Sequence, residues 1–394
     1  MNDEDRWITG LGTGPDVLVR AGRVTGLGRC PVDAPHIVDA AGGLALPALV
    51  DAHVHPDKTL FGQRWHSRPP ADTLRELIDS EVAGRGRIEG SVFARSLRLF
   101  TALAASGARA VRAHVDVGPG SGLDGVHGVS AAAKRLEGIL DVQLVAFPQQ
   151  GVLSAPGTVA LLEAALAEGA TVLGGIDPVG IDGDLHGQLD VLFAIARRHG
   201  VPLDIHLHDD GAQGREEMTA IAARTMAEGM AGLVTLSHAF ALGDCPPAQA
   251  QPVADVLAAA DIAVTTCALG AHPLVPVDLL RRSGVRVGLG SDGVRDAWTP
   301  FGTADMVDRV HLLAYRSDAR TDAELSDCWD VGAHGGAAVL GLPRAGLQLG
   351  DRADLVLVPG ENTAQIVVDR PWPRTVLRGG VPIDLAERLQ AVGA

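Results

Sequence analysis

The chain has 394 residues, 46% of them hydrophobic, enough for one large α/β domain with additions or for two domains. Its formal charge of −15 argues against a nucleic-acid face or an anionic membrane surface as partner, and aromatics at 3% offer no stacking array for single strands. Cys30, Cys245, Cys267 and Cys328 stand apart with no C-x-x-C pair, so a disulfide framework or zinc knuckle is not expected and a reduced, cytoplasmic setting fits. The acidic start MNDEDRWITG lacks the features of a secretory signal, and no window reaches 18 uninterrupted apolar residues, so no membrane span is expected.

In chain order, residues 15–45 come first and read as short strands and turns punctuated by glycine and proline. Eight apolar runs follow: LALPALVDAHVH, ARAVRAHVDVG, DVQLVAFPQQG, ATVLGGIDP, VPLDIHLHDDG, GLVTLSHAF, DIAVTTCALG and GVRVGLGSDG. Runs this apolar suit strands covered on both faces, as in a parallel sheet. Between them lie stretches with helical spacing that end in glycine, such as 157–169 and 188–200. Residues 244–252, DCPPAQAQP, read as a loop. Eight β/α units over about 250 residues predict a (β/α)8 TIM barrel, with a doubly wound sheet as the competitor. The C-terminal stretch returns to short strands and turns. It is expected to join the N-terminal one in a small β-sandwich domain of residues 1–47 and 345–394, leaving 48–344 as the catalytic barrel.

Polar residues collect at the C-terminal ends of these runs, where barrel enzymes carry their active sites. They are His53 and His55, His114 and Asp116, Gln149, His206 with His208 and Asp209, His238, and Asp292. A core histidine explains any one of them but not six runs of eight ending this way. In PALVDAHVHPDKTL, His53 and His55 are two residues apart, so strand pleating aims both imidazoles the same way. Imidazole and carboxylate suit zinc or ferrous iron, and His206 and Asp292 stand as candidates to complete the set across the mouth. A surface pair on an edge strand is the alternative.

These stretches together resemble the amidohydrolase superfamily, and within it the cytosine deaminase-like branch. DAHVHPDKTL, LVAFPQQG, DIHLHDDG, LSHAF, GLGSDGVRDAWTPFGTADM and LGDRADLVLV are similar to that branch's segments in order, over nearly the whole chain. The resemblance implies one divalent metal, Zn2+ or Fe2+, on His53, His55, His206 and Asp292. It implies that Asp292 also accepts a proton from the attacking water, and that His238 stabilises the tetrahedral intermediate. Gln149 is implied to bind an amide-like ring edge. Trp298, with Asp296, is implied to shape the pocket.

Where the branch carries a glutamate three residues after the fifth-strand histidine, this chain has Asp209, expected to serve as proton shuttle alone or shared with Asp210, with helix capping as the alternative. His208 is expected to point away from the metal. Lys58 is expected in a loop pairing Asp57, with a direct substrate role as the alternative. Lys58 and Lys134 are the only lysines, so a carbamate-bridged pair of metals on the fourth strand is excluded.

The activity implied is hydrolytic deamination of a small nitrogen heterocycle: a cytosine-like pyrimidine, a triazine or a related cyclic urea or guanidine. Cleavage of a cyclic amide or removal of an N-alkyl amine is the alternative. An inactive barrel kept for binding would lack a ligand or His238, and neither is lacking. The expected partner is the small heterocycle, with homo-oligomers possible and neither nucleic acid nor membrane.

Overall fold

The computed structural model describes residues 5–270 and 272–385; the remainder of the expected small domain, 1–4 and 386–394, lies outside them. All eight apolar runs are strands of one parallel sheet: Leu49–Val54, Ala108–Asp116, Asp141–Phe147, Val172–Ile176, Leu203–Leu207, Val234–His238, Ala263–Thr266 and Val287–Leu289. Each pairs with the next in sequence order. The first and last meet just past the eighth strand, where Val54 bridges Asp292 in parallel and the Asp292 N–H donates to the His53 carbonyl at 2.8 Å. The sheet therefore curls into a TIM-like barrel rather than a doubly wound sheet.

Helices such as Thr158–Ala167 and Leu185–His199 occupy the stretches read as helical. The second ends at Gly200, whose φ of +66° is the left-handed turn that glycine adopts freely. Residues 244–252 depart from expectation. A helix runs Pro247–Ala259, because a proline in the first turn loses no intrahelical hydrogen bond and already has the helical φ.

The chain ends build two further sheets. Arg6–Thr9, Asp16–Arg20, Arg23–Gly28 and Ile37–Asp39 form one. Leu44–Pro47 joins Leu355–Val358, Thr375–Arg378 and Val381–Pro382 in the other, pairing antiparallel with Leu355–Val358. Ile8, Val17, Val19, Val24 and Val38 of the first pack on Ala45, Leu355, Leu357 and Leu377 of the second. This apolar layer, separate from the barrel core, makes the small sandwich out of both ends of the chain.

Candidate active site

Strand pleating and barrel closure deliver the donors. His53 is in the first strand and His55 just past it; His206 is in the fifth; Asp292 follows the eighth. The Nε2 atoms of His53 and His55 are 3.2 Å apart, and that of His206 is 3.4 Å from His55 Nε2. Asp292 Oδ1 lies 3.6 Å from His53 Nε2 and 3.4 Å from His55 Nε2. Donors held about 2.1 Å from one ion at tetrahedral angles stand about 3.4 Å from each other, close to the four distances given, and His53, His55 and His206 form a group that could hold a metal ion. Burial, with the neighbouring imidazoles, holds His53 and His206 well below the ordinary imidazole range, which leaves their lone pairs free. Burial pushes the Asp292 carboxyl up, but the hydrogen bond from His55 and the charges of the surrounding histidines outweigh it and hold Asp292 well below the carboxylate range. The donor set fits one divalent ion.

The backbone is bent to make the cluster. His238 and Asp292 have φ of +72° and +61°, a region costing a non-glycine residue on the order of 1 kcal/mol or more. Gly290 lets the eighth strand touch the first: a Cβ there would lie 2.5 Å from His53 Cβ.

A polar chain fixes the first ligand. Ser237 Oγ donates to Asp204 Oδ1 at 2.6 Å, so it accepts from His53 Nδ1 at 2.9 Å. Asp204 is in turn held by Arg112 Nη1 at 2.8 Å. This puts the His53 proton on Nδ1 and turns Nε2 toward the cluster. His238, the last residue of the sixth strand, keeps both ring nitrogens free of hydrogen bonds. Burial first, then the charge of His208, drives it down to about 3, so it is a neutral imidazole beside the donors. His114 stacks on His53 with ring centroids 3.9 Å apart.

Beside this cluster lies a second, more highly charged group. Lys58 Nζ is 3.1 Å from Asp116 Oδ1 and 3.4 Å from Glu81 Oε2, donates to Gln149 Oε1, and sits 5.3 Å from the Trp298 ring centroid. Gln149 Nε2 donates to Glu81 Oε1 at 3.0 Å. Arg85 pairs with both Asp116 and Glu81. The expected Lys58–Asp57 pairing is corrected here: Asp57 Oδ2 accepts the Asp116 N–H at 3.0 Å, and Lys58 reaches on to Asp116 and Glu81 instead. Ile78, Phe147, Ile176 and Ile181, with Leu74, Val82 and Trp298 against them, form an apolar wall. Asp296 is taken up with its own loop, accepting the N–H groups of Trp298 and Thr299 at 2.8 and 2.9 Å.

Not every candidate joins these groups. Asp209 Oδ2 accepts the Gly180 N–H at 2.8 Å, and its carboxylate neighbours Glu217. Burial and that neighbour push Glu217 up to about 8. The first bond ties Asp209 to Gly180, an exposed residue after the fourth strand. His208 lies past the strand end, bonded through Nδ1 to Asp177 at 2.6 Å and stacked on His238 with centroids 4.6 Å apart. The Asp177 charge and hydrogen bond raise His208 against the opposing effect of burial.

Sequence reasoning missed Glu81, the Ser237–Asp204–Arg112 chain and the His208–Asp177 pair. Asp204 carried a legible signal: a carboxylate inside a fully apolar run needs a buried partner. Glu81 carried none, because DTLRELIDSEVAG reads as an ordinary helix with an acidic face.

The chain belongs to the amidohydrolase family, whose model matches residues 36–383, and its class is a hydrolase of non-peptide C–N bonds. Among its relatives is the N-isopropylammelide isopropyl amidohydrolase of Pseudomonas sp. (strain ADP), 30% identical and covering 87% of this chain and 86% of that protein. The crystal structure of N-isopropylammelide isopropylaminohydrolase from Burkholderia multivorans superposes with a TM-score of 0.91 at 40% identity, covering 96% of this chain and 98% of that one. That of 5-methylcytosine deaminase from Klebsiella pneumoniae, liganded with phosphonocytosine, gives 0.82 at 25% identity, covering 96% and 97%. Among the described residues, no helix is long and apolar enough to cross a membrane.

Proposed function

We propose that this chain hydrolyses the exocyclic C–N bond of a small nitrogen heterocycle of the hydroxytriazine or cytosine type. The observation that carries this reading is the close gathering of His53, His55 and His206, with Asp292 against the first two, beside the buried Lys58–Gln149 pair. Those four residues hold one divalent ion, zinc or iron, both of which accept imidazole and carboxylate donors. When bound, the ion supplies Lewis acidity and a water activated near neutral pH.

The chain's own groups do the rest. Asp292 takes the proton of the attacking water. His238 is neutral and has free ring nitrogens, so it orients that water and hydrogen-bonds the oxygen as charge develops on it. Lys58 and Gln149 hold a ring carbonyl, and Trp298 with the apolar wall covers the ring face. Water oxygen joins the ring carbon, the C–N bond breaks, and the departing nitrogen leaves as a neutral amine carrying the transferred proton. Asp209 is assigned the outer end of the proton path, where Glu217 holds a proton at neutral pH. Residues 48–344 form the catalytic unit, and 1–47 with 345–394 its small companion.

An N-alkyl amine as leaving group, rather than ammonia, is favoured by Ile78, Ile176 and Ile181 in the wall beside Lys58, and by the N-isopropylammelide relatives at 30% and 40% identity. The test is a screen of N-isopropylammelide, ammelide-type triazines and cytosine with the metal-loaded protein, identifying the amine released. Isopropylamine or ammonia appearing at a rate proportional to enzyme supports the reading. Metal-replete protein that releases neither from any of them contradicts it.

A further inference from the structure

Glu81 does not come from the barrel. It sits on the helix Leu74–Gly84, which starts in a Thr73–Glu76 capping box. Ile78 and Glu81 are three residues apart, so they share a helix face, and both are buried in the mouth. Glu81 Oε1 is taken by Gln149 Nε2, whereas Oε2 has no hydrogen bond, although Lys58 Nζ is within 3.4 Å. The buried Trp298 Nε1 likewise has no partner.

Charge balance does not account for Glu81. Lys58, Arg85 and Arg95 face four carboxyls, Asp57, Asp116, Glu81 and Asp296, and Asp116 already pairs with both Lys58 and Arg85. A buried carboxylate beyond the number of cations is costly unless a donor reaches it. Burial holds the Glu81 carboxyl up at about 7, against the pull of Lys58, as befits an acceptor still short of a donor.

We infer that Glu81 is a specificity-determining residue whose free Oε2 accepts a ring N–H adjacent to the ring carbonyl held by Lys58 and Gln149. The inference rests on reading the site as one for a small nitrogen heterocycle. It narrows the substrate class to rings with an N–H beside a C=O, as in hydroxytriazines in their keto form and in pyrimidinones. Rings alkylated at that nitrogen are rejected, because they leave Glu81 unpaired and put a methyl against a carboxylate.

The experiment uses full-length, metal-loaded protein and two probes: cyanuric acid, with an N–H beside every carbonyl, and its N,N′,N″-trimethyl derivative, with the same carbonyls and no N–H. Binding is read by calorimetry for wild type, Glu81→Gln and Glu81→Ala. Wild type is expected to favour cyanuric acid by about ten- to a hundredfold, the worth of one charge-assisted hydrogen bond. Both variants are expected to lose that preference through weaker cyanuric acid binding, with metal content unchanged and the trimethyl ring bound as before. A preference retained in both variants overturns the inference. So does an equal loss for both rings, which marks a merely structural role, and so does a wild type that binds neither ring.

Turnover separates this from the function itself. If wild type releases amine from N-isopropylammelide while Glu81→Gln keeps the N–H preference, the inference fails and the reading stands. If the preference depends on Glu81 but no aminated ring is turned over, the reading fails and the inference stands.

Discussion

The donor cluster and the Lys58 group adjoin at one barrel mouth but are anchored in different ways. His206 and His238 belong to strands whose neighbours fix them by ladder hydrogen bonds, and His53 and Asp292 are pinned to each other by the barrel's closing contact. Lys58, Glu81 and Arg85 come from the loop after the first strand and the helix beyond it, and side-chain charges hold them in place. Strand-borne donors are preorganised, as the chemistry requires. A loop and an added helix can change without disturbing the barrel, which suits recognition.

That contrast is broken most severely from the donor side. His53→Ala or Asp292→Ala should abolish bound metal and amine release together, as read by elemental analysis and a release assay; activity in either variant would place the chemistry elsewhere. Next comes Ser237→Ala, which removes the anchor of His53 Nδ1. It should weaken metal affinity about ten- to a hundredfold, as for other partners of metal-bound histidines, and lost activity should return at high metal concentration. Loss that metal does not restore would make Ser237 part of the reaction itself.

Asp209→Asn should have a smaller effect, lowering kcat by no more than about tenfold, because Asp209 is bonded to Gly180 at the rim. A fall near a thousandfold would mean that it turns inward during turnover and carries the proton directly.

The smallest effect is on stability. Glu81 and Glu217 have folded values of about 7 and about 8, above their ordinary 4.5, and His208 is raised above 6.5. Each keeps a proton in the folded chain that the unfolded chain releases, so each stabilises below its unfolded value and loses that contribution as pH climbs through the folded one. The melting temperature should therefore decline between about pH 4.5, where the unfolded glutamates titrate, and about pH 8, the folded value of Glu217. Glu217→Gln should flatten the upper part of that decline, and a Tm that rises across the window would contradict the assignment.

The barrel was legible because its eight strands are buried on both faces and therefore read as apolar runs, and because His53, His55, His206 and His238 interrupt those runs near the same end. Asp292 was legible from its place after the last run. The Lys58 group was not, since its contacts are long-range: Lys58 meets Asp116 across 58 residues and Gln149 across 91. Asp209 lies beyond the strand, where spacing alone does not say which way a side chain turns. The fifth strand ends at Leu207, and the Asp177 carboxylate then gathers the N–H groups of His208 and Asp209.

The central claim is that one divalent ion on His53, His55, His206 and Asp292 drives C–N hydrolysis. The most direct measurement titrates zinc or ferrous iron into chelator-stripped protein while following amine release from N-isopropylammelide. No release is expected without metal, followed by a rise that saturates at one equivalent per chain. Release from the stripped protein, or saturation only at two equivalents, would contradict it.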